Sequence, residues 1–211
     1  KILLAKAGGE TEKQIYRFNK GDSDLSMRFD LTVPLAKYVA KNYSELTFPF
    51  KRYQIGKVYR GERAQKGRFR EFYQADIDII GDEKLNIVND AEIPSIIYTI
   101  FTGLGIEDFV IRINNRKVLN GLYAILGLEE KAADIMRIID KIDKIGRENV
   151  VAELAEIGIT EDKVTTLLDL LLVKGSNEEV LANLEQFKGK NETFDLGFEE
   201  IQAVIKNIGV F

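Results

Sequence analysis

The period of the hydrophobic pattern changes near residue 115, so the chain needs two kinds of layer. Ahead of that point, short runs rich in aromatic and β-branched residues read as strands over 14–18, 26–29, 49–60, 69–80 and 109–113. Two helices interrupt them. The first is capped by Asp30 or Thr32, carries Pro34 in its first turn and runs to about Lys41. The second covers 85–104 and contains Pro94, whose missing backbone donor predicts a kink or a break. Behind residue 115, apolar residues recur at spacings of three and four: Leu119, Leu122 and Leu126, then Ile135, Ile138, Ile139 and Ile142, then Val150, Val151, Leu154 and Ile157. Thr160 before Glu161 and Asp162, and Asn177 before Glu178 and Glu179, open further helices. A last helix over 197–207 ends at Gly209, where glycine suits a cap.

Composition removes several chemistries. The 211 residues include no cysteine and no histidine, which excludes disulfides and thiolate catalysis and argues against serine triads and zinc hydrolases. At 45% hydrophobic and 30% charged residues the chain is globular, and no apolar run approaches the roughly 18 residues of a membrane span. It reads as soluble, without a signal peptide. A net charge of -4 argues against wholesale coating by nucleic acid, but a local basic patch can still meet phosphate.

Such a patch lies within residues 52–81, two long antiparallel strands around a charged loop. Alternation places Arg70, Phe72, Gln74, Asp76 and Asp78 on one face of the second strand. Phe69, Tyr73, Ala75, Ile77 and Ile79 fall on the other, which is expected to pack while the polar face stays open. Arg60 ends the first strand, and Arg63, Lys66 and Arg68 follow between Gly61 and the second strand. Four cations in one turn repel one another until an anion arrives, and guanidinium forks match phosphate oxygens, so a polyphosphate or an RNA backbone is the expected ligand. A smaller polar cluster, Arg28 to Thr32, sits at a strand-to-helix junction and by itself reads as ordinary capping.

The two clusters together resemble the histidyl-tRNA synthetases, a family of class II aminoacyl-tRNA synthetases. Arg60, Glu62 and Phe72 match the general class II pattern, and the loop from Arg63 to Arg70 with its return strand matches the histidine enzymes in particular. The resemblance implies an α+β fold: a class II synthetase-like antiparallel sheet flanked by helices, with an α-helical insertion domain. The implied divisions are a partial catalytic core over 1–115, the insertion over 116–192, and a helix over 193–211 returning to the core. It also implies ATP as a substrate with magnesium, a cytoplasmic enzyme of translation, and no protein nucleophile. Arg60 would hold the α-phosphate and the substrate carboxylate, and is the implied catalytic residue. Glu62 would meet the adenine amino group, Phe72 would stack on the ring, and Arg68 would reach the outer phosphates. Asp30, Thr32 and Gln74 match positions that bind the histidine α-amino group, and Asp78 the acidic position near the imidazole.

The family pattern is longer at both ends. Its motif 1, its histidine-specific arginine segment, its motif 3 and its anticodon-binding domain have no counterpart in this sequence, which therefore reads as a fragment of a catalytic domain. The implied partners are histidine, ATP, tRNA(His) and, in the intact family, a second subunit, with no membrane. Lys141, Lys144, Arg147, Lys163 and Lys174 could touch tRNA phosphates, but Asp140, Asp143, Glu148 and Glu161 are as frequent, so ordinary solvated faces are expected. One alternative is a paralogue serving as regulatory subunit of an ATP phosphoribosyltransferase of histidine biosynthesis, which binds without aminoacylating. That paralogue typically relaxes the nucleotide-binding arginines, which are intact here.

Overall fold

The dominant strand element in the computed structural model, which describes residues 9–63, 65–173 and 175–210, is one long hairpin. A short helix α1 (Gly9–Lys13) precedes a hairpin of β1 (Arg17–Lys20) and β2 (Ser23–Ser26). Gly21 takes φ 59 in its turn, the left-handed conformation that a two-residue loop demands. The Gly21-Asp22 turn closes on its immediate flanks, so strands expected over 14–18 and 26–29 are displaced to 17–20 and 23–26. Helix α2 (Thr32–Asn42) follows, and the amide of Val33 donates to Asp30 Oδ1 at 3.0 Å, satisfying one first-turn donor.

Strands β3 (Phe50–Tyr59) and β4 (Glu71–Ile80) pair antiparallel in unbroken register, from Phe50 opposite Ile80 to Tyr59 opposite Glu71. The polar side of this hairpin is the covered one, which reverses the expectation. Arg52, Gln54, Gln74, Asp76 and Asp78 are half-buried, whereas Tyr53 is 78%, Ile55 66% and Tyr73 68% exposed. The physical reason lies in the junction before α2: Leu31 is fully buried, and the carbonyl of Arg28 accepts from the amide of Tyr59 at 2.7 Å. The chain from Arg28 to Leu31 thus lies against the polar face. These elements make up one compact unit ending at Asn86, whose buried apolar residues include Leu31, Leu35 and Val58.

A second compact unit begins at Ile87 and is helical. Its members are α3 (Val88–Gly103), α4 (Arg116–Leu126), α5 (Ala132–Ile139), α6 (Ile142–Ile145), α7 (Arg147–Glu156), α8 (Glu161–Leu171), α9 (Asn177–Glu185) and α10 (Glu192–Ile208). Residues 109–113, expected as a strand, carry no ladder bonds, because the described residues supply no neighbouring strand there. Pro94 lies inside α3 and is buried.

Several helix ends are fixed by side chains. Asn115 caps α4 by accepting from the amide of Lys117 at 2.8 Å, and Gly127 closes it with φ 63. The helix α9 starts at Asn177 as expected, and Ser176 just before it forms a reciprocal capping box with Glu179. Asn191 caps α10 through the amide of Phe194 at 3.0 Å, so this helix begins a turn and a half before residue 197. Gly209 sits at φ -78, a conformation any residue adopts, so it is not the left-handed cap expected of it.

The core of this unit gathers Val118, Leu122 and Tyr123 of α4 against Phe194 and Phe198 of α10, with Ile135, Val150, Leu154, Leu167 and Leu168. The rings of Phe194 and Phe198 stack at 6.1 Å. Burying each such side chain contributes about 1.5–3 kcal/mol, which is what holds short helices of modest propensity together. Among the described residues, no helix is long and apolar enough to cross a membrane.

Candidate functional site

The register of the hairpin builds the site. Because Arg52 faces Asp78, Gln54 faces Asp76 and Gly56 faces Gln74, all the polar residues of β3 and β4 share one face. Gly56, opposite Gln74, makes room for the covering segment: a Cβ there would stand 3.2 Å from Arg28 Nη1 and 3.4 Å from Leu31 Cδ2.

Arg60 is the hub. Its Nε donates to the carbonyl of Phe29 at 3.3 Å and its Nη2 donates to Gln74 Oε1 at 3.2 Å. The guanidinium lies 4.9 Å from the Phe29 ring centroid and 5.4 Å from that of Phe72. Two aromatic faces and two fixed acceptors hold this cation in one orientation before any ligand arrives. Gln74 in turn donates from Nε2 to both oxygens of Asp76, at 2.8 and 3.0 Å.

A second network starts from Arg52. Its Nη2 stands 3.0 Å from Asp78 Oδ2 and donates to the carbonyl of Leu31 at 3.2 Å, while Nη1 donates to Gln54 Oε1. The Arg52 and Asp78 side chains are only 12% and 23% exposed, so the charges attract with little screening. Asp78 Oδ2 is buried within its ion pair with Arg52, and Arg52 Nε is buried without a hydrogen-bond partner.

At the far end of the hairpin the loop closes on itself. Gln65 and Arg68 exchange backbone bonds at 3.4 and 2.9 Å around Gly67, whose φ of +79 requires glycine. Glu62 pairs with Arg68 at 3.4 Å, and its carbonyl accepts from Arg70 Nε. The repulsion expected among the loop cations is thus relieved locally by Glu62.

Of the residues marked in the sequence, Arg60, Phe72 and Gln74 meet directly, and Arg68 meets Glu62 at the hairpin tip. Asp30 lies next to Phe29 and engages the first turn of α2, while Thr32 opens that helix and is exposed. Asp78 belongs to the Arg52 network. Sequence reasoning gave no role to Phe29, Arg52 or Asp76. The pairing of Arg52 with Asp78 and of Gln54 with Asp76 was readable from the hairpin register, whereas the Phe29 contact depends on a junction folding back across the sheet. In the helical unit, Lys141 pairs with Glu153 and Arg147 with Asp169, both at 2.7 Å, while Lys174 lies outside the described residues.

A family model described as histidyl-tRNA synthetase matches residues 1–210. The histidine–tRNA ligase of Clostridium tetani (strain Massachusetts / E88) is 57% identical over 210 residues, covering 100% of this chain and 48% of the relative. That of Finegoldia magna is 48% identical over 207 residues, covering 98% and 48%. The crystal structure of histidyl-tRNA synthetase from Nostoc sp. PCC 7120 aligns with TM-score 0.84 at 40% identity over 93% of this chain and 45% of that chain. An ATP phosphoribosyltransferase regulatory subunit/histidyl-tRNA synthetase from Bacillus halodurans C aligns with TM-score 0.74 at 22% identity over 94% of this chain and 50% of that one, a likeness of fold alone. The chain spans about half the length of the curated relatives it matches.

Proposed function

This chain belongs to the histidyl-tRNA synthetase family, and on that premise we propose that it is part of a histidine–tRNA ligase that activates histidine with ATP and charges tRNA(His). The observation that carries the proposal is Arg60, oriented between Phe29 and Phe72 and bonded to Gln74. In the first step a carboxylate oxygen of histidine attacks the α-phosphorus of ATP, pyrophosphate leaves, and a mixed anhydride forms. In the second, a hydroxyl of the terminal ribose of tRNA attacks the carbonyl carbon and AMP leaves. Neither step needs a protein nucleophile, which suits a chain with no histidine or cysteine.

What the protein must supply is positioning and charge. Arg60 neutralises the α-phosphate and the entering carboxylate, and its fixed fork spares reorganisation as charge develops. Phe72 offers a face to adenine, Glu62 an acceptor to its amino group, and Arg68 a cation to the outer phosphates. Asp30, Thr32 and Gln74 supply the carboxylate, hydroxyl and amide oxygens that an ammonium needs, and Asp78 supplies the carboxylate for an imidazole N–H. Magnesium would be carried mainly by phosphate oxygens and water. When bound, the ion adds charge neutralisation at the phosphates.

Residues 1–115 then form the catalytic core, residues 116–192 the insertion, and residues 193–211 the helix returning to the core, in a cytoplasmic enzyme that pairs with a second copy when whole. The intact set Arg60, Glu62, Arg68 and Phe72 favours this reading over the regulatory paralogue. Calorimetric titration with a non-hydrolysable histidyl-adenylate analogue tests it, with the alanyl analogue and Arg60→Ala as controls and circular dichroism to establish folding. Selective binding that Arg60→Ala abolishes is expected. A folded wild-type chain that binds neither analogue, or both equally, would refute it.

A further inference from the structure

Asp76 has no part in the roles above, yet it decides how Gln74 can act. A carboxamide turns over easily, exchanging an oxygen acceptor for an NH2 donor. Here both neighbours fix the choice. The Asp76 carboxylate only accepts, and takes Nε2 on both oxygens at 2.8 and 3.0 Å. The Arg60 guanidinium only donates, and gives to Oε1 at 3.2 Å. A reversed amide would set oxygen against carboxylate and NH2 against guanidinium. Arg60, Gln74 and Asp76 are all half-buried, where such mispairing costs more than in water. Oε1 has two lone pairs and Arg60 takes one, so the other remains for a donor.

We propose that Asp76 is a positioning residue that locks the Gln74 amide with its oxygen toward the ligand, so that the site selects amino acids carrying a free α-ammonium. The inference rests on the reading of Gln74 as a ligand of that ammonium.

The test titrates histidine and 3-(imidazol-4-yl)propanoate, which lacks only the amino group, into the wild-type chain, Asp76→Ala, Asp76→Asn, Gln74→Ala and the Asp76→Ala/Gln74→Ala double variant. Asp76→Ala is expected to weaken histidine roughly tenfold and to narrow its advantage over the propanoate by the same factor. Asp76→Asn, which keeps an accepting oxygen, should retain most of the wild-type preference. On the Gln74→Ala background the Asp76 change should add nothing. Equal losses for both ligands, or additive effects of the two substitutions, would overturn the inference. Gln74→Ala weakening histidine while Asp76→Ala is silent would sink the inference alone. Gln74→Ala leaving histidine unchanged, or a folded wild-type chain that does not bind it, would overturn the underlying reading as well.

Discussion

Gly121, in the middle of α4, faces the start of α10, and replacing it by alanine pits two effects of opposite sign against each other. A Cβ at this position would stand 2.5 Å from both Cα and Cβ of Phe194, and against its backbone nitrogen. The approach is mutual, since a Cβ on Gly197 of α10 would stand 2.6 Å from the amide nitrogen of Val118 in α4. Alanine is the better helix former by about 1 kcal/mol. Overpacking costs about 1–3 kcal/mol, and the upper figure applies because the obstacle is backbone that no rotamer change can move. The net expectation is a loss of about 2 kcal/mol, read as a urea midpoint lower by roughly 1 M in helical circular dichroism. Gly103, at the end of α3 in the same unit, has nothing within 4 Å of its Cβ position, so Gly103→Ala should instead gain up to about 1 kcal/mol. A Gly121→Ala protein as stable as wild type would refute the closeness of this crossing, and with it the reason for glycine there.

Arg52→Met should strand Asp78 in its covered position and cost about 2–3 kcal/mol, while Arg52→Met/Asp78→Asn recovers much of that because no charge is left unpaired. Hydrogen exchange at the β3 and β4 amides reads this, and equal protection in the single and double variants would contradict it. In the helical unit, bonds from Lys117 and then Asn115 hold the Glu200 carboxyl below its ordinary range. A depressed folded value stabilises above the ordinary one and the gain is lost as the carboxylate protonates, so the urea midpoint should drop as pH falls below the ordinary glutamate range. Lys117→Met should flatten that dependence, and an unchanged slope would exclude Glu200 as its source.

The hairpin was legible because alternation over residues 69–80 and a short charged loop fix the register, and register alone brings Arg52 to Asp78 and Gln54 to Asp76. Which face is covered was not legible. Alternation separates two faces but does not say what lies on each, and the cover comes from Leu31 and the backbone at Arg28, contacts outside any local pattern. Helix existence followed from spacings of three and four, whereas the start of α10 was misplaced because its cap, Asn191, lies outside the apolar periodicity. The strand expected over 109–113 failed because a strand requires a partner, which no single segment encodes.

The uncovered face of the β3–β4 hairpin bears on solubility. Tyr53, Ile55 and Tyr73 present apolar surface to water on a ladder of two strands, while a net charge of -4 gives the chain only modest repulsion. Near its isoelectric point of about 5.2 that repulsion vanishes. Salting-out at mildly acidic pH should therefore begin at these three side chains, and a lysine at the Ile55 position would raise the protein concentration the solution tolerates without touching the polar side of the sheet.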